Sequence, residues 1–576
     1  MKRKMKTNIL SLLALTALLF AGCATDNVEP GKKKGSEIDT TGLTAFSMVK
    51  PNEGPATRLA GEYNGSGVDF YWSYGDRLLL NAPTERPKCE WQADKKNNLY
   101  GLANPLSSSS SGRAPRATFW FEGEFTKPEY RVRYLGKSNG GNNPDEIFIP
   151  EELNYIGPFT PGLEDARQGD FATGIARRQP DGNYTFTLEH KGSYITFRPY
   201  SEQTAFTKWG GAYVEQIDVS ADQALCGSFK IKGDTIDLSS RPVDDKYNKS
   251  TCYHDYNDLL RLTVGNPPAV QPVPGEGHKY DTPFYAIMSI APGTYTNFTV
   301  RYCFLIRSTG RYGYVTKTYP RVTFTAGKNK VISQNMQVHE YPADTYYMWD
   351  AAVGQHYWKG YEWNGPNPKQ PTYNTQTSDK YPKNNQDSRW YNEVPPYADP
   401  TGAAPAVAAT RSCKDLPNVN ELCWYCKYGW GYGNDYEIYS VMNYLESHKM
   451  WFRKLSAIAK SEGKTVDELK AKAPDGIDYT RSIKEPNFGS GYQTTEKPDD
   501  LKDYFCLPMM GGYLQETHPY GEMFAMGESL YYWSSTPVPG HPDQAYALRA
   551  GDYNHRLEVV ALPRKYGLSV MWPTDR

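Results

Sequence analysis

The stretch YTFTLEHKGSYITFRPY, residues 184–200, decides how the chain is read. Tyr184, Phe186 and Leu188 alternate with Thr185 and Thr187, a period of two that sends successive side chains to opposite faces of a strand covered on one side. Upstream, ATFWFEGEF (117–125) repeats the pattern: Phe119, Phe121 and Gly123 alternate with Trp120 and Glu122. Working outward, strand signals recur at close spacing in LTAFSMV (43–49), VDFYWSYGDRLLLN (68–81), YRVRYLG (130–136) and EIFIP (146–150). A second block runs through YVEQIDVS (213–220), CGSFKIKGDTIDLS (226–239), YAIMSIAPGTY (285–295), FTVRYCFLIRS (298–308) and RVTFTAGKNKVISQNMQV (321–338). Short strands punctuated by Gly, Pro, Asn and Asp predict a mostly β chain of sandwiches rather than a helical or parallel-sheet fold.

Composition agrees. The chain has 576 residues, enough for three or four domains at about 150 residues each. Its 46 Tyr, 50 Gly, 42 Pro and 13 Trp suit aromatic cross-strand pairs joined by turns. A formal net charge of −1 argues against a nucleic-acid partner, which needs a basic field. Nine cysteines are too sparse for a disulfide-built scaffold.

The N-terminus carries Lys2, Arg3, Lys4 and Lys6, then an apolar run from Ser11 to Ala21, short of the ~20 residues of a spanning helix. It reads as an export signal. The run closes on Phe20-Ala21-Gly22-Cys23, small residues before a cysteine, which resembles the lipobox of bacterial lipoproteins; an ordinary secretory signal with an incidental cysteine is the alternative. On this reading residues 1–22 are removed, Cys23 takes lipid and binds the chain to a membrane, and the polar stretch 23–43 is a tether.

After residue 340 the character changes. Residues 341–410 are rich in Pro, Asn, Tyr and Trp, and a helix is predicted in YSVMNYLESHKMWFRKLSAIAKSEG (439–463), where Val441, Tyr444, Leu445, Met450, Phe452, Leu455 and Ile458 recur near helical spacing. Thr465 to Glu468 fits a capping box opening a second short helix. Strands return in LYYWSSTP (530–537), QAYALRA (544–550), RLEVVAL (556–562) and YGLSVMW (566–572), so residues 341–576 are expected to form an α+β domain.

TRLAGEYNGSGVDFYWSYGDRLLLN (57–81), GDFATG (169–174), residues 184–200 and CGSFKIK (226–232) together resemble the fimbrillin family. That resemblance implies two tandem β-sandwiches, expected over 44–205 and 206–340, in a lipoprotein precursor of bacterial surface pili. CKDLPNVNELCWY (413–425), residues 450–480, DYFCLPMMGGYL (503–514), YYWSSTP, AYALR and RKYGLSV resemble the C-terminal domains of the Fibrobacter major paralogous type, related to C-type-lectin-like folds. The combination looks like a pilus tip or accessory subunit at the outer membrane and cell surface. Its implied partners are other pilus subunits, through donor-strand exchange, and a glycan or protein on a host or bacterial surface. A subunit whose C-terminal strand is folded into a domain can accept a strand but not lend one. Arg58 is the candidate for the cut that would open the accepting groove; an ordinary exposed arginine is the alternative, and Arg113 and Arg116 are rival sites. A lipid-anchored binding lipoprotein outside any filament is the competing function.

Other chemistry is thin. Cys423 and Cys426 form a Cys-x-x-Cys, but the preceding LPNVNEL lacks the strand-to-helix pattern of a redox site, and no second close pair completes a zinc site. Disulfides among Cys413, Cys423, Cys426 and Cys506, or buried thiols, are expected instead. Glu485-Pro486-Asn487 matches a calcium-lectin tripeptide, yet no Trp-Asn-Asp follows it, and Gln179-Pro180-Asp181 falls in a sandwich turn, so no metal or cofactor is expected. No Gly-x-Ser-x-Gly, His-Glu-x-x-His or phosphate loop occurs, and no enzyme activity is expected. The lectin-like fold also houses sulfatase-modifying enzymes that use cysteine, which leaves Cys423 and Cys506 as the residues of an enzymatic alternative. Trp358, Tyr361, Trp363 and Trp390 sit among Gly, Pro and Asn and are the candidate ligand contacts, expected on exposed loops.

Overall fold

The computed structural model describes residues 38–576 apart from 50–61, 64–67, 84–89, 103–112, 137–142, 151, 155–168, 208–210, 244–259, 264–270, 273–285, 369–386, 388, 390–407, 430–434, 492–499, 515–522 and 552–555. Cys23, Arg58 and Trp390 lie outside the described residues. The chain is mostly β, as its period-two runs predict.

The first unit centres on a long sheet. Strand β1 (Leu43–Met48) lies inside it, antiparallel to β2 (Thr118–Glu122) and parallel to β3 (Tyr184–Phe186). Beyond β3 come Ala172–Arg178, Glu129–Tyr134, Leu79–Asn81 and Trp91–Ala93; beyond β2 comes Lys96–Asn97. The alternating residues Phe119, Phe121, Tyr184 and Phe186 point into one core with Phe46, Met48, Trp72, Tyr130, Val132 and Tyr134.

The second unit is built on β4 (Ala212–Ser220), β5 (Gly293–Ile306) and β6 (Arg311–Phe324), the last two forming a long antiparallel ribbon. A separate sheet orders Ala286–Ile290, Ser193–Tyr200 and Asn329–Asn335. The hydrogen bonding interleaves the units across the boundary expected at 205/206. Glu146–Ile149 pairs with Gly227–Lys232, the chain then returns to the first sheet at Ala172–Arg178, and Ser193–Tyr200 leaves it again. The reason is visible in burial: residues 193–199 are buried on both faces, so this strand is a central one rather than the outer arm of a hairpin with residues 184–188.

In the third unit, β7 (Tyr439–Val441) replaces the helix predicted over 439–463. It turns through Met442 and Asn443, both at positive φ (52° and 62°), into Tyr444–Glu446, and Lys449–Arg453 then pairs with Tyr504–Pro508. Only Leu455–Glu462 is helical. The apolar positions that mimicked a helical stripe are core positions of three short strands, and two consecutive left-handed residues are the signature of a tight hairpin turn. A helix that the sequence reading missed, α1 (Val419–Tyr428), begins in the LPNVNEL stretch with a capping box between Asn418 and Glu421. The helix α2 is Leu455–Glu462 and α3 is Val466–Ala471, the latter capped by Thr465 and Glu468 as predicted. These pack on a sheet of β8 (Ser529–Pro537), β9 (Gln544–Gly551) and β10 (Arg556–Pro563), with β11 (Leu568–Ser569) between β8 and Tyr346–Tyr347.

Candidate functional site

The position of β1 singles it out. It is the first described strand, yet it sits between two strands that follow it by at least 70 residues in sequence. Its inward residues anchor it. Phe46 is fully buried, stacked on Tyr184 at 4.5 Å with an interplanar angle of 6°, and is met edge-on by Phe121 at 5.1 Å and Phe125 at 5.4 Å. The Trp72 indole N–H donates to Met48 Sδ at 2.9 Å. The backbone is held on both sides where the run ends: Met48 N donates to Ala117 O and Val49 N to Phe186 O, each at 3.0 Å. Ala45 N donates to Asn183 Oδ1 at 3.2 Å, and Ser47 Oγ shares a hydrogen bond with Thr118 Oγ1 at 3.0 Å.

The other end of the described chain is committed. The short strand β11 pairs with Tyr346–Tyr347 and β8, and Trp572 Nε1 donates to Trp533 O at 2.9 Å. Arg576 Nη2 donates to Asp415 O at 2.7 Å. These bonds hold residues 568–576 against the third unit's own sheet.

Of the candidate ligand contacts, Trp358 is corrected: its side chain is fully buried, packed on Tyr357 at 5.1 Å and Tyr513 at 5.3 Å. A Gly- and Asn-rich neighbourhood signalled turns but not exposure, because the turns carry the large ring into a core of Tyr346, Met348, Met510 and Met526. Tyr361 and Trp363 are half-buried. Tyr361 lies under the Arg389 guanidinium at 5.5 Å, and Arg389 is paired with Asp387. Beside them His356 Nε2 and Glu362 Oε1 are 3.1 Å apart.

The cysteine expectation is corrected towards its second form. Cys413, Cys423, Cys426 and Cys506 are thiols, not half-cystines. Cys413 belongs to a different core from Cys423 and Cys426, and its sulfur accepts a hydrogen bond from Asp350 N at 3.2 Å. Burial pushes the Cys413, Cys423 and Cys426 thiols above the usual thiol range. Cys423 stands in the middle of α1 rather than at its N-terminus, so neither helix dipole nor cation favours a thiolate.

One constellation escaped the sequence reading. At the seam between the second and third units, Arg311 Nη1 donates to Glu446 Oε2 and Met526 O, each at 2.7 Å, and its Nη2 pairs with Glu528. Tyr314 N donates to Tyr436 O at 3.0 Å and Ile438 N to Tyr314 O at 2.9 Å, so the third unit extends the edge of β6. A Cβ at Gly313 would stand 2.6 Å from Ile438 Cγ1 and 2.9 Å from Tyr436 O, which is why a glycine occupies that position. The partners are over 120 residues apart in sequence, and no local pattern announces them.

No family model matches the chain, and no curated protein matches it in sequence. Among solved structures it is similar to a candidate cell adhesion protein of Bacteroides uniformis, at a TM-score of 0.27 and 10% identity over 52% of this chain and 94% of that one. It is also similar to a fimbrial assembly protein of Parabacteroides distasonis (TM-score 0.22, 11% identity, 51% of this chain and 92% of that one). A third is a fimbrial protein of Bacteroides ovatus (TM-score 0.18, 10% identity, 86% and 93%). At TM-scores under 0.5 these likenesses carry no argument.

Proposed function

We propose that this chain is a structural and adhesive subunit of a bacterial surface pilus, fimbrillin-like in its two β units, entering the filament by strand exchange at the β1 slot and carrying the third unit at the filament end. The single observation behind the proposal is the placement of β1. It is an interior strand that precedes Arg58 in the chain, so a cut there severs the only covalent link between β1 and the sheet it fills. Removing an interior strand exposes two rows of backbone donors and acceptors, a template for a strand from another subunit. The commitment of β11 and Trp572 to the third unit's sheet keeps that strand from being lent. Lipid on Cys23 would hold the precursor at the outer membrane until it is cut.

The third unit, lectin-like by resemblance, is proposed as the part that touches another surface. Tyr361 and Trp363 remain its candidate contacts as half-buried rings, with Trp390 outside the described residues, since aromatic rings can stack on a sugar face or anchor a protein. Electron microscopy of filament-bearing cells with an antibody against residues 341–576 tests the placement. Label at filament ends is expected; label confined to the cell envelope, away from filaments, contradicts it and leaves an anchored binding lipoprotein.

A further inference from the structure

We infer that the β1 slot selects its incoming strand by two unlike side-chain subsites: a flat aromatic box at the position of Phe46, and an indole donor at the position of Met48 that calls for a sulfur or other accepting side chain. This rests on the strand-exchange reading above and names the partner: a strand of a neighbouring pilus subunit, running antiparallel to β2, with an aromatic residue followed two positions later by methionine.

The chain's own β1 is the template. Inward positions recur every second residue, so Phe46 and Met48 enter the core side by side while Ala45 and Ser47 face the other way. The first subsite has a parallel wall, Tyr184, and perpendicular walls, Phe121 and Phe125, with Tyr130 at 6.4 Å. One face-on and several edge-on contacts suit a planar ring, and a branched aliphatic side chain cannot make both kinds at once. The second subsite is different in kind. Trp72 is fully buried, wedged against Phe119 at 4.9 Å and Tyr134 at 5.6 Å, and an indole offers a donor only. Its N–H is met by Met48 Sδ, which belongs to the strand that leaves. A replacement strand with leucine or valine there would fill the volume and strand the donor, and a buried donor without an acceptor is penalised.

The test uses the full chain with a protease recognition sequence placed in the 50–57 stretch and cut, so that β1 is held without a covalent link. A fluorescent peptide of residues 41–50 then competes with β1 for the slot, against the same peptide carrying Met48→norleucine or Phe46→Leu. Norleucine keeps the length and apolarity of methionine and removes only the acceptor. The native peptide should exchange in; Met48→norleucine should bind on the order of ten-fold more weakly and Phe46→Leu at least as weakly. In the Trp72→Phe chain the penalty for norleucine should vanish. Equal uptake of the native and norleucine peptides overturns the two-subsite inference while leaving strand exchange standing. No uptake of any peptide, with β1 retained after cutting, overturns both.

Discussion

Phe46 is the residue on which the account turns. Truncating a fully buried ring with four aromatic neighbours removes its transfer energy and leaves a cavity, so Phe46→Ala should destabilise the uncut first unit by about 3–5 kcal/mol, read as a fall in the denaturant midpoint. The candidate ligand residues divide by the same logic. Trp358→Ala should cost about as much stability, whereas Tyr361→Ala and Trp363→Ala, on half-buried rings, should cost far less and act on surface binding, measured as adhesion of the purified protein to a target surface. If Trp358→Ala folds with an unchanged midpoint, its assignment to the core is wrong. At this scale the sequence showed side-chain chemistry but not its depth. The same Gly and Asn turns surround Trp358, which is buried, and Trp363, which is half-buried, because which way a turn carries a ring depends on a partner such as Tyr513 more than 150 residues away.

At the scale of elements, the seam between the second and third units gives a pH prediction. Glu446 is fully buried, and burial lifts its carboxyl to about 8 against the pull of Arg311, with Glu528 adding to the rise. One guanidinium faces two carboxylates, and the buried one keeps its proton. The folded-state value stands above the unfolded one of about 4.3, so Glu446's contribution is fully present below that value and is lost as pH rises through about 8. The seam should therefore resist denaturant better at pH 6 than at pH 9, and Glu446→Gln, which imitates the protonated form, should flatten that difference. An unchanged pH dependence in the variant would contradict the assignment. Gly313→Ala should loosen the same seam, seen as faster proteolysis around residues 430–438, because no Cβ fits beneath Ile438. The C-terminal strands and the Thr465–Glu468 capping box were legible here because their codes are local. The hairpin at Met442 and Asn443 was not, because Met442, unlike Asn443, is not a usual left-handed turn former, no glycine marks the loop, and the flanking apolar positions fit a period of 3.6 as well as strands.

For the whole molecule, the interleaving of residues 146–149 and 193–200 across the boundary expected at 205/206 was not legible in composition or turn spacing. Strand partners separated by dozens of residues are chosen by core packing, and the sequence states only that a strand exists. The placement of β1 belongs to this class: LTAFSMV announces a strand, and nothing local says it closes the middle of a sheet. That placement is the central claim's foundation, since an interior strand ahead of the proposed cut at Arg58 is what strand exchange requires. Mass spectrometry of the N-terminus, on protein from sheared surface filaments and separately from the outer membrane, tests it most directly. A filament form starting just after Arg58, with residues 43–48 absent, is the predicted result. A filament form that still begins at a lipidated Cys23 and retains β1, or a protein found only in the membrane fraction, would contradict it.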